Sequence, residues 1–511
     1  MPIRTPICAT IILVLALSGC NSDHDDASVD ERLATAIARN GLDGDPSQGR
    51  SVPGIETAEA QLGMELFYSK ALGGNKDSAC VSCHHPALAG GDALSLPLGV
   101  GADNPDLLGP GRTIGGRPLP NVPRNSPTTF NTAFWDSAVF HDGRVESLNK
   151  EPGKNGSAGA IRTPDSGFGT ADPQAGPNLL AAQSRFPVTS AEEMRGHSFE
   201  KGSGNDAVRD HLAKRLSGAV NELDTPDNDG SGENDWKERF EAVYGPAGQD
   251  EQLITYARIA SAIGAYESSQ VFVDTPWKAY VQGDREALTE SQKNGALLFF
   301  TPVEEGGAGC SGCHSGDFFT DEQFHNIAMI QVGPGKGDGE TGTGDFGRFR
   351  ETGRESDRYS FRTPTLLNVE LTAPYGHAGA YDDLEGVIRH HLNPGNAIDD
   401  YFASSGTWCQ AMDQFINVMD CDALFPHAER NTRNALQALQ TRQAAGKSGL
   451  VTTELTDSQV ADLVAFMEAL TDPCLEDASC LDPWIPDRST TGASALQLNG
   501  VDRNQQPLLS N

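Results

Sequence analysis

Cys80-Val81-Ser82-Cys83-His84 is the stretch from which the rest of this chain is read. Two thiols two residues apart with a histidine directly after them form C-x-x-C-H, the attachment pattern of a c-type haem. The thiols bond the haem vinyl groups and the imidazole ligates iron. A second copy stands at Cys310-Ser311-Gly312-Cys313-His314. Zinc would call for a further C-x-x-C or H-x-x-x-H close by, and neither copy has one. The sequence therefore predicts two covalently bound haem c groups, with His84 and His314 as proximal ligands.

Working outward, the same order of features follows each motif. Pro127-Thr128-Thr129-Phe130-Asn131 and then His141-Asp142-Gly143 come after the first. Pro364-Thr365-Leu366-Leu367-Asn368 and then His377-Ala378-Gly379 come after the second. A repeated order at near-equal spacing predicts an internal duplication, and 511 residues can bury more than one core. A helix is expected from near Thr57, with Leu62, Leu66 and Phe67 on one face. Its counterpart opens on the capping box Thr289 to Gln292 and carries Leu297, Leu298 and Phe299; a last helix, Thr456 to Leu470, opens on another box. A further helical stretch runs from Tyr256 to Ser268, and the domain boundary falls near Gly283 to Leu288. Strand signals are few. The expected fold is mainly α, with two cytochrome c-like haem domains at residues 54–285 and 286–472 and long loops.

The net charge of -33 argues against a nucleic-acid partner, since such a surface repels phosphate. It favours a small basic electron donor, although an acidic balance is also an ordinary solubility device. At the N-terminus an apolar run from Ile11 to Leu17, too short to span a bilayer, leads into Leu17-Ser18-Gly19-Cys20. This resembles a bacterial lipoprotein signal spanning residues 1–20, with Cys20 lipidated and Asn21 directing the protein toward the outer membrane; a plain signal peptide cut elsewhere is the alternative. Either implies export to the periplasm. Residues 21–53, Asp- and Gly-rich, read as a flexible tether. Cys409, Cys421, Cys474 and Cys480 remain as an even set in an oxidising compartment, and Cys409–Cys421 with Cys474–Cys480 is the simplest of three connectivities. Residues 473–511 read as an extended arm. Within 225–238, Asp227, Asp229, Ser231, Asp235 and Glu238 fall at positions 1, 3, 5, 9 and 12 of an EF-hand-like calcium loop, with Gly232 at position 6. Asn234 at position 8 and Pro226 before the loop depart from that pattern, so an unoccupied acidic loop is an equal reading.

With these residues in place, the chain resembles the bacterial di-haem cytochrome c peroxidases and their MauG relatives. The matching stretches are Arg124 to Thr128, Phe140 to Arg144, Phe319 to Asp321, Phe324 to Ile327, and Thr363 to Thr372, within a span from about Gly63 to Leu470. The resemblance implies hydrogen peroxide as substrate and a small electron-donor protein, a cytochrome c or cupredoxin, as partner; it leaves a homodimer open. It also implies a peroxidatic N-terminal haem and an electron-transferring C-terminal one.

Distal ligands separate those roles, because an open iron binds peroxide and a closed one passes electrons. Family members often place a removable distal His after the first motif, yet Pro86 to Phe140 contains no His. His85, beside the proximal His84, is sterically unsuited. For the second haem the family places Met, Tyr or His about seven residues after the Leu of a Leu-Glu pair; counting from Leu384 gives His391. His390 would point about 100° away on a helix. Met329, Met412 and Met419 read as core residues or gap-fillers. The family's acid-base Glu, followed by Met after a Pro-Val pair, matches Glu193, with Glu192 adjacent. The family's Trp between the haems is replaced by His141, and Trp135 is a core position or a carrier of an electron hole. An inter-domain calcium ion is implied at the Asn125 side chain and the Thr372 and Pro374 carbonyls. Three functions follow in order: peroxide reduction to water, MauG-like oxidation of a partner protein, and electron transfer alone.

Overall fold

The structure is a computed structural model that describes residues 27–223, 235–246, 248–486 and 496–509. The signal region and Cys20, and Asp227, Asp229 and Ser231 of the acidic loop, lie outside the described residues; Glu238 lies within the Asp235–Tyr244 helix. Among the described residues no helix is long and apolar enough to cross a membrane.

Six helices frame the molecule: α1 (Val29–Asn40), α2 (Ala58–Phe67), α3 (Tyr256–Ser269), α4 (Glu290–Phe300), α5 (Leu384–Leu392) and α6 (Asp457–Glu468). The expected caps are present. Thr57 caps α2, and Thr289 with Gln292 and Thr456 with Gln459 form the boxes of α4 and α6, meeting N–H groups that the first helical turn leaves unpaired. In each half, the helix before the haem motif lies against a later helix of that half, α2 on α3 and α4 on α6. Glycine sets both distances. A Cβ on Gly63 would sit 1.8 Å from the Ala262 carbonyl oxygen, and one on Gly295 would sit 1.9 Å from that of Asp462.

The P-T-x-x-N stretches are built alike as well. Asn131 and Asn368 both adopt the left-handed conformation, at φ 60° and 62°, which Asn tolerates better than most residues. Asn131 N–H donates to Gln270 O and its Oδ1 accepts from Phe272 N–H; Asn368 does the same with Leu470 O and Asp472 N–H. Both Nδ2 groups then converge on a single acceptor, the Phe272 carbonyl, at 2.9 and 3.0 Å.

One core gathers around Leu66, Phe67, Val81, Ile259 and Tyr266, and a second around Trp277, Phe299, Phe300, Phe319 and Phe466. A third, around Ile398, Trp408, Phe415 and Phe425, is closed by the Cys409–Cys421 disulfide. Cys474–Cys480 is the other bridge, so both expected pairings are present. Strands are short: an antiparallel set at Ala138–Val139, Val145–Ser147 and Ile161–Arg162, and a pair at Phe324–His325 and Phe361–Arg362. Across the halves, buried Arg124 binds Asp142 at 2.6 Å and Asp345 at 2.6 and 2.8 Å. Burial alone would raise both carboxyls, but the Arg124 guanidinium holds them well below the usual carboxylate range.

Three expectations are corrected. The stretch read as a flexible tether contains α1, capped by a Ser28–Glu31 box. Val29, Leu33, Ala36 and Ile37 face the second core, and Leu33 is 0% exposed; burying such a side chain contributes roughly 1.5–3 kcal/mol. The C-terminal arm is short helical turns followed by a return to the first half, where Leu498 N–H donates to Tyr68 O and Val501 pairs with Asp106 and Leu108. Met419 is no core residue, being 85% exposed, whereas Met329 and Met412 are buried.

Gly295→Ala should lower stability by about 1–3 kcal/mol through overpacking, read as a lower melting temperature in circular dichroism. Gly449→Ala, where nothing lies within 4 Å of the added carbon, should leave the melting curve in place.

Candidate active site

Each C-x-x-C-H begins with a turn of 3₁₀-helix, Cys80–Ser82 and Cys310–Gly312. All four thiols are free, while the other described cysteines are paired. Burial pushes the Cys83 and Cys310 thiols up to about 12. His84 Nδ1 lies 3.1 Å from Gly90 O, and His314 Nδ1 lies 3.1 Å from Phe319 O. A carbonyl only accepts, so both Nδ1 atoms carry the proton and both Nε2 lone pairs are left for a metal, the arrangement a ligating imidazole needs. Burial lowers the pKa of both rings, His314 to about 4, favouring the neutral form.

Around His314 lies a cavity of about 790 Å³, lined by Cys310, Cys313, His314 and His391. His391 Nδ1 donates to Val387 O at 2.8 Å along α5, so its Nε2 is also free for a metal. The His314 and His391 ring centroids are 6.3 Å apart. Two imidazoles bonded end-on to one metal, each at about 2.0–2.1 Å, have centroids about 6 Å apart. Arg362 Nη1 and His377 Nδ1, buried without partners, belong to residues lining the same cavity. A haem suits this site by donor set, spacing and unmet polar groups. His390 is different: Nε2 donates to Ile327 O at 3.0 Å and Nδ1 accepts from the Tyr381 hydroxyl at 2.9 Å, so neither nitrogen is spare.

The cavity at His84 is narrower, about 100 Å³, and is lined by Cys80, Cys83, His84 and Glu193. There the fit to a haem rests on the donor set, which repeats that of the second site. Glu193 stands on a single π-helical turn, Ala191–Arg195, whose Ser190 cap accepts from Glu193 N–H; such turns recur at functional sites. Burial raises the Glu193 pKa, and Arg144 and Lys336 partly offset this. Glu192 instead accepts from Ser190 Oγ and is not among the lining residues. His85 lies under the C-terminal return, its Nδ1 accepting from Ala87 N–H.

Sequence reasoning missed Gln183, Arg144 and Lys336, which line this narrower cavity. Lys336 comes from the other half, on a loop with glycine at 333, 335, 337, 339, 342 and 344. A lone lysine among closely spaced glycines was the available signal, because such a backbone approaches another surface closely. Burial, with Arg124 and Arg144 nearby, lowers the Lys336 pKa.

Asn125, Ser126, Pro127 and His141 line both cavities. His141 Nε2 donates to Asn125 O at 3.0 Å, and burial with the nearby Arg124 charge lowers its pKa to about 3, so the ring between the sites is neutral. Trp135 lines the larger cavity with the Arg362 guanidinium 3.4 Å above its ring. A cation there disfavours removing an electron from the indole. Thr372 and Pro374 join Asn125 along this cavity, and Asn125 Nδ2 donates to Leu94 O at 3.0 Å, leaving Oδ1 free of that bond.

Residues 57–286 match the family described as di-haem cytochrome c peroxidase. Cytochrome c551 peroxidase of Pseudomonas aeruginosa is 27% identical over 335 residues, 65% of this chain and 71% of that protein. The methylamine utilization protein MauG of Methylorubrum extorquens is 24% identical over 389 residues, 76% of this chain and 83% of the relative. Two solved structures share the fold: a MauG-like protein associated with microbial copper homeostasis and the diheme peroxidase BthA from Burkholderia thailandensis. The first is 24% identical and covers 86% of this chain and 98% of its own, and the second is 20% identical and covers 84% and 89%; both have a TM-score of 0.52.

His391→Ala in the haem-loaded protein should convert one haem from low to high spin in its absorption spectrum. His390→Phe should leave the spin states unchanged and lower the melting temperature. The reverse pattern would move the ligand to His390.

Proposed function

The chain belongs to the di-haem cytochrome c peroxidase family that includes MauG and is an oxidoreductase of that type, and we propose that it reduces hydrogen peroxide to water at the Cys80–His84 site with electrons arriving through the Cys310–His314 site. The observation that carries this reading is the inequality of the two pockets: Glu193 lines the first, and His391 faces His314 in the second. Bound haem would supply the iron that takes up peroxide and the second centre that stores and passes electrons.

The chain's own residues do the rest. His84 and His314 hold their Nε2 atoms toward the metal through their bonds to Gly90 O and Phe319 O. Glu193, kept from full solvation, takes a proton from one peroxide oxygen and returns it to the other, which makes the leaving oxygen water. Arg144 and Lys336 place positive charge beside that carboxylate. The Asn125 to Pro127 stretch and His141 occupy the space between the pockets, the short way for an electron.

The repeated Gly and Asn geometry supports two cytochrome c-like domains that arose by duplication. A calcium ion at the Asn125 side chain and the Thr372 and Pro374 carbonyls is part of this proposal and rests on the family resemblance alone. The sequence at Cys20 supports lipid anchorage at the periplasmic face of the outer membrane, and the acidic surface supports a small basic electron donor. A second reading, oxidation of residues on a partner protein, is favoured by one observation. His391 faces His314, and this pair would hold a bound haem iron at a lower potential than a Met ligand would, which helps it keep oxidising equivalents.

Glu193→Gln should leave both haems bound and reduce the rate of the peroxide reaction by about 10²–10⁴-fold; stopped-flow absorbance on the loaded protein measures it. The carboxylate form is the one that accepts the proton, so the rate should fall as pH drops through the Glu193 pKa. That fall should lie above the range of an ordinary glutamate, because burial raises the value. The pH limb should be absent in the Gln variant.

A further inference from the structure

From His391 a line of rings leads outward to the third core. The His391 and His390 centroids are 6.4 Å apart, and Tyr381 follows at 5.5 Å, its hydroxyl donating to His390 Nδ1. Tyr401 lies 5.6 Å beyond Tyr381, and Trp408 lies 5.9 Å beyond Tyr401. Every step falls in the range of directly packed aromatic side chains. Tyr381 packs on both the second and the third core, so the line crosses from one to the other without a gap.

The members of this line treat a proton differently. The Tyr401 hydroxyl is buried with no partner, so a phenol that lost an electron would have nowhere to send its proton. Tyr401 is suited to bridge as a ring and not to hold a hole. Trp408 is 4% exposed, but its Nε1–H donates at 2.8 Å to Asp422 Oδ1, and Asp422 is an exposed residue. An indole that gives up an electron can pass this proton to that carboxylate, which removes most of the charge penalty. Trp135 is the opposite case, with a guanidinium on its face. The disulfide-closed segment that follows Trp408 carries further exposed carboxylates, Asp413 and Asp420; Asp399, on the neighbouring helix, is paired with Arg433 at 2.8 Å.

We propose that Trp408, buried but bonded to the exposed Asp422, is a site of one-electron exchange, joined to the second haem site through Tyr401, Tyr381 and the His390–His391 pair, and that the reductant it serves is positively charged. This rests on the peroxidase reading for its source of oxidising equivalents. Trp408 gives one electron toward the second site and its indole proton to Asp422. The cationic reductant then returns one electron to the ring, and Asp422 returns the proton. Two such cycles supply the two electrons that, with two protons from solvent, convert one peroxide to two waters and leave two oxidised reductant ions. The exposed acidic groups favour a cation and repel an anion.

The test uses the haem-loaded protein treated with one equivalent of hydrogen peroxide and no reductant, frozen for electron paramagnetic resonance and digested for mass spectrometry. An organic radical and oxidised Trp408 are expected in the natural sequence. Both should be lost from Trp408 in Tyr401→Leu and retained in Tyr401→Phe, which keeps the ring; Asp422→Asn should diminish them. Hexaammineruthenium(II) should suppress the oxidation, and ferrocyanide should do so less well. Peroxide consumption with no oxidation at Trp408, or oxidation equal in Tyr401→Leu and Tyr401→Phe, overturns the proposal while leaving the peroxidase reading intact. Hexachloroiridate(IV) in place of peroxide gives the same comparison in protein that does not consume peroxide, so failure of the route and failure of the peroxidase reading are separated.

Discussion

The Phe272 carbonyl carries two asparagines, and the rest of the architecture depends on that shared contact. A carbonyl oxygen has two lone pairs, and here Asn131 of the first half and Asn368 of the second each take one. Both asparagines are almost fully buried, so losing either leaves groups unmet at a cost of about 1–3 kcal/mol. Because each asparagine ends the P-T-x-x-N stretch that follows a haem loop, this point fixes how the two loops face one another. The buried Arg124, paired with Asp142 of its own half and Asp345 of the other, ties the two halves together as well. The narrow cavity can then take Lys336 from the far half, and both cavities share the Asn125 to Pro127 wall.

Function follows from how unlike the two pockets become within so similar a frame. The proximal arrangement is the same twice, down to the 3.1 Å contact that sets each imidazole tautomer. What differs is the group that shares each pocket with the histidine. One pocket presents a carboxylate whose proton affinity burial has raised, and the other presents a second imidazole with its Nε2 free. On the proposed reading, acid-base chemistry belongs with the first and electron storage with the second.

Much of this was legible in the sequence because it is local. C-x-x-C-H, the capping boxes at Thr289 and Thr456, and the short-range cysteine pairs each declare themselves within a dozen or so residues. Glu193 and His391 came from family spacing; Glu193 lines the cavity that His84 lines, and the His391 ring stands 6.3 Å from that of His314. The miss at α1 has a plain cause: Asp- and Gly-rich flanks dominate the composition of 21–53, whereas Val29, Leu33, Ala36 and Ile37 already showed a helical face. Lys336, Gln183 and the return of Leu498 to Tyr68 were not legible in the same way, since each is a contact between segments far apart in the chain. The ring line to Trp408 lies within residues 381–408, but its ring-to-ring packing across two cores exists only in the folded chain.

The central claim is that two identical attachment motifs carry unequal haems. The most direct measurement is a low-temperature electron paramagnetic resonance spectrum of the fully oxidised, haem-loaded protein. The account predicts one high-spin ferric signal and one low-spin signal of bis-histidine type in equal amounts. Two low-spin signals, or two high-spin ones, would contradict it.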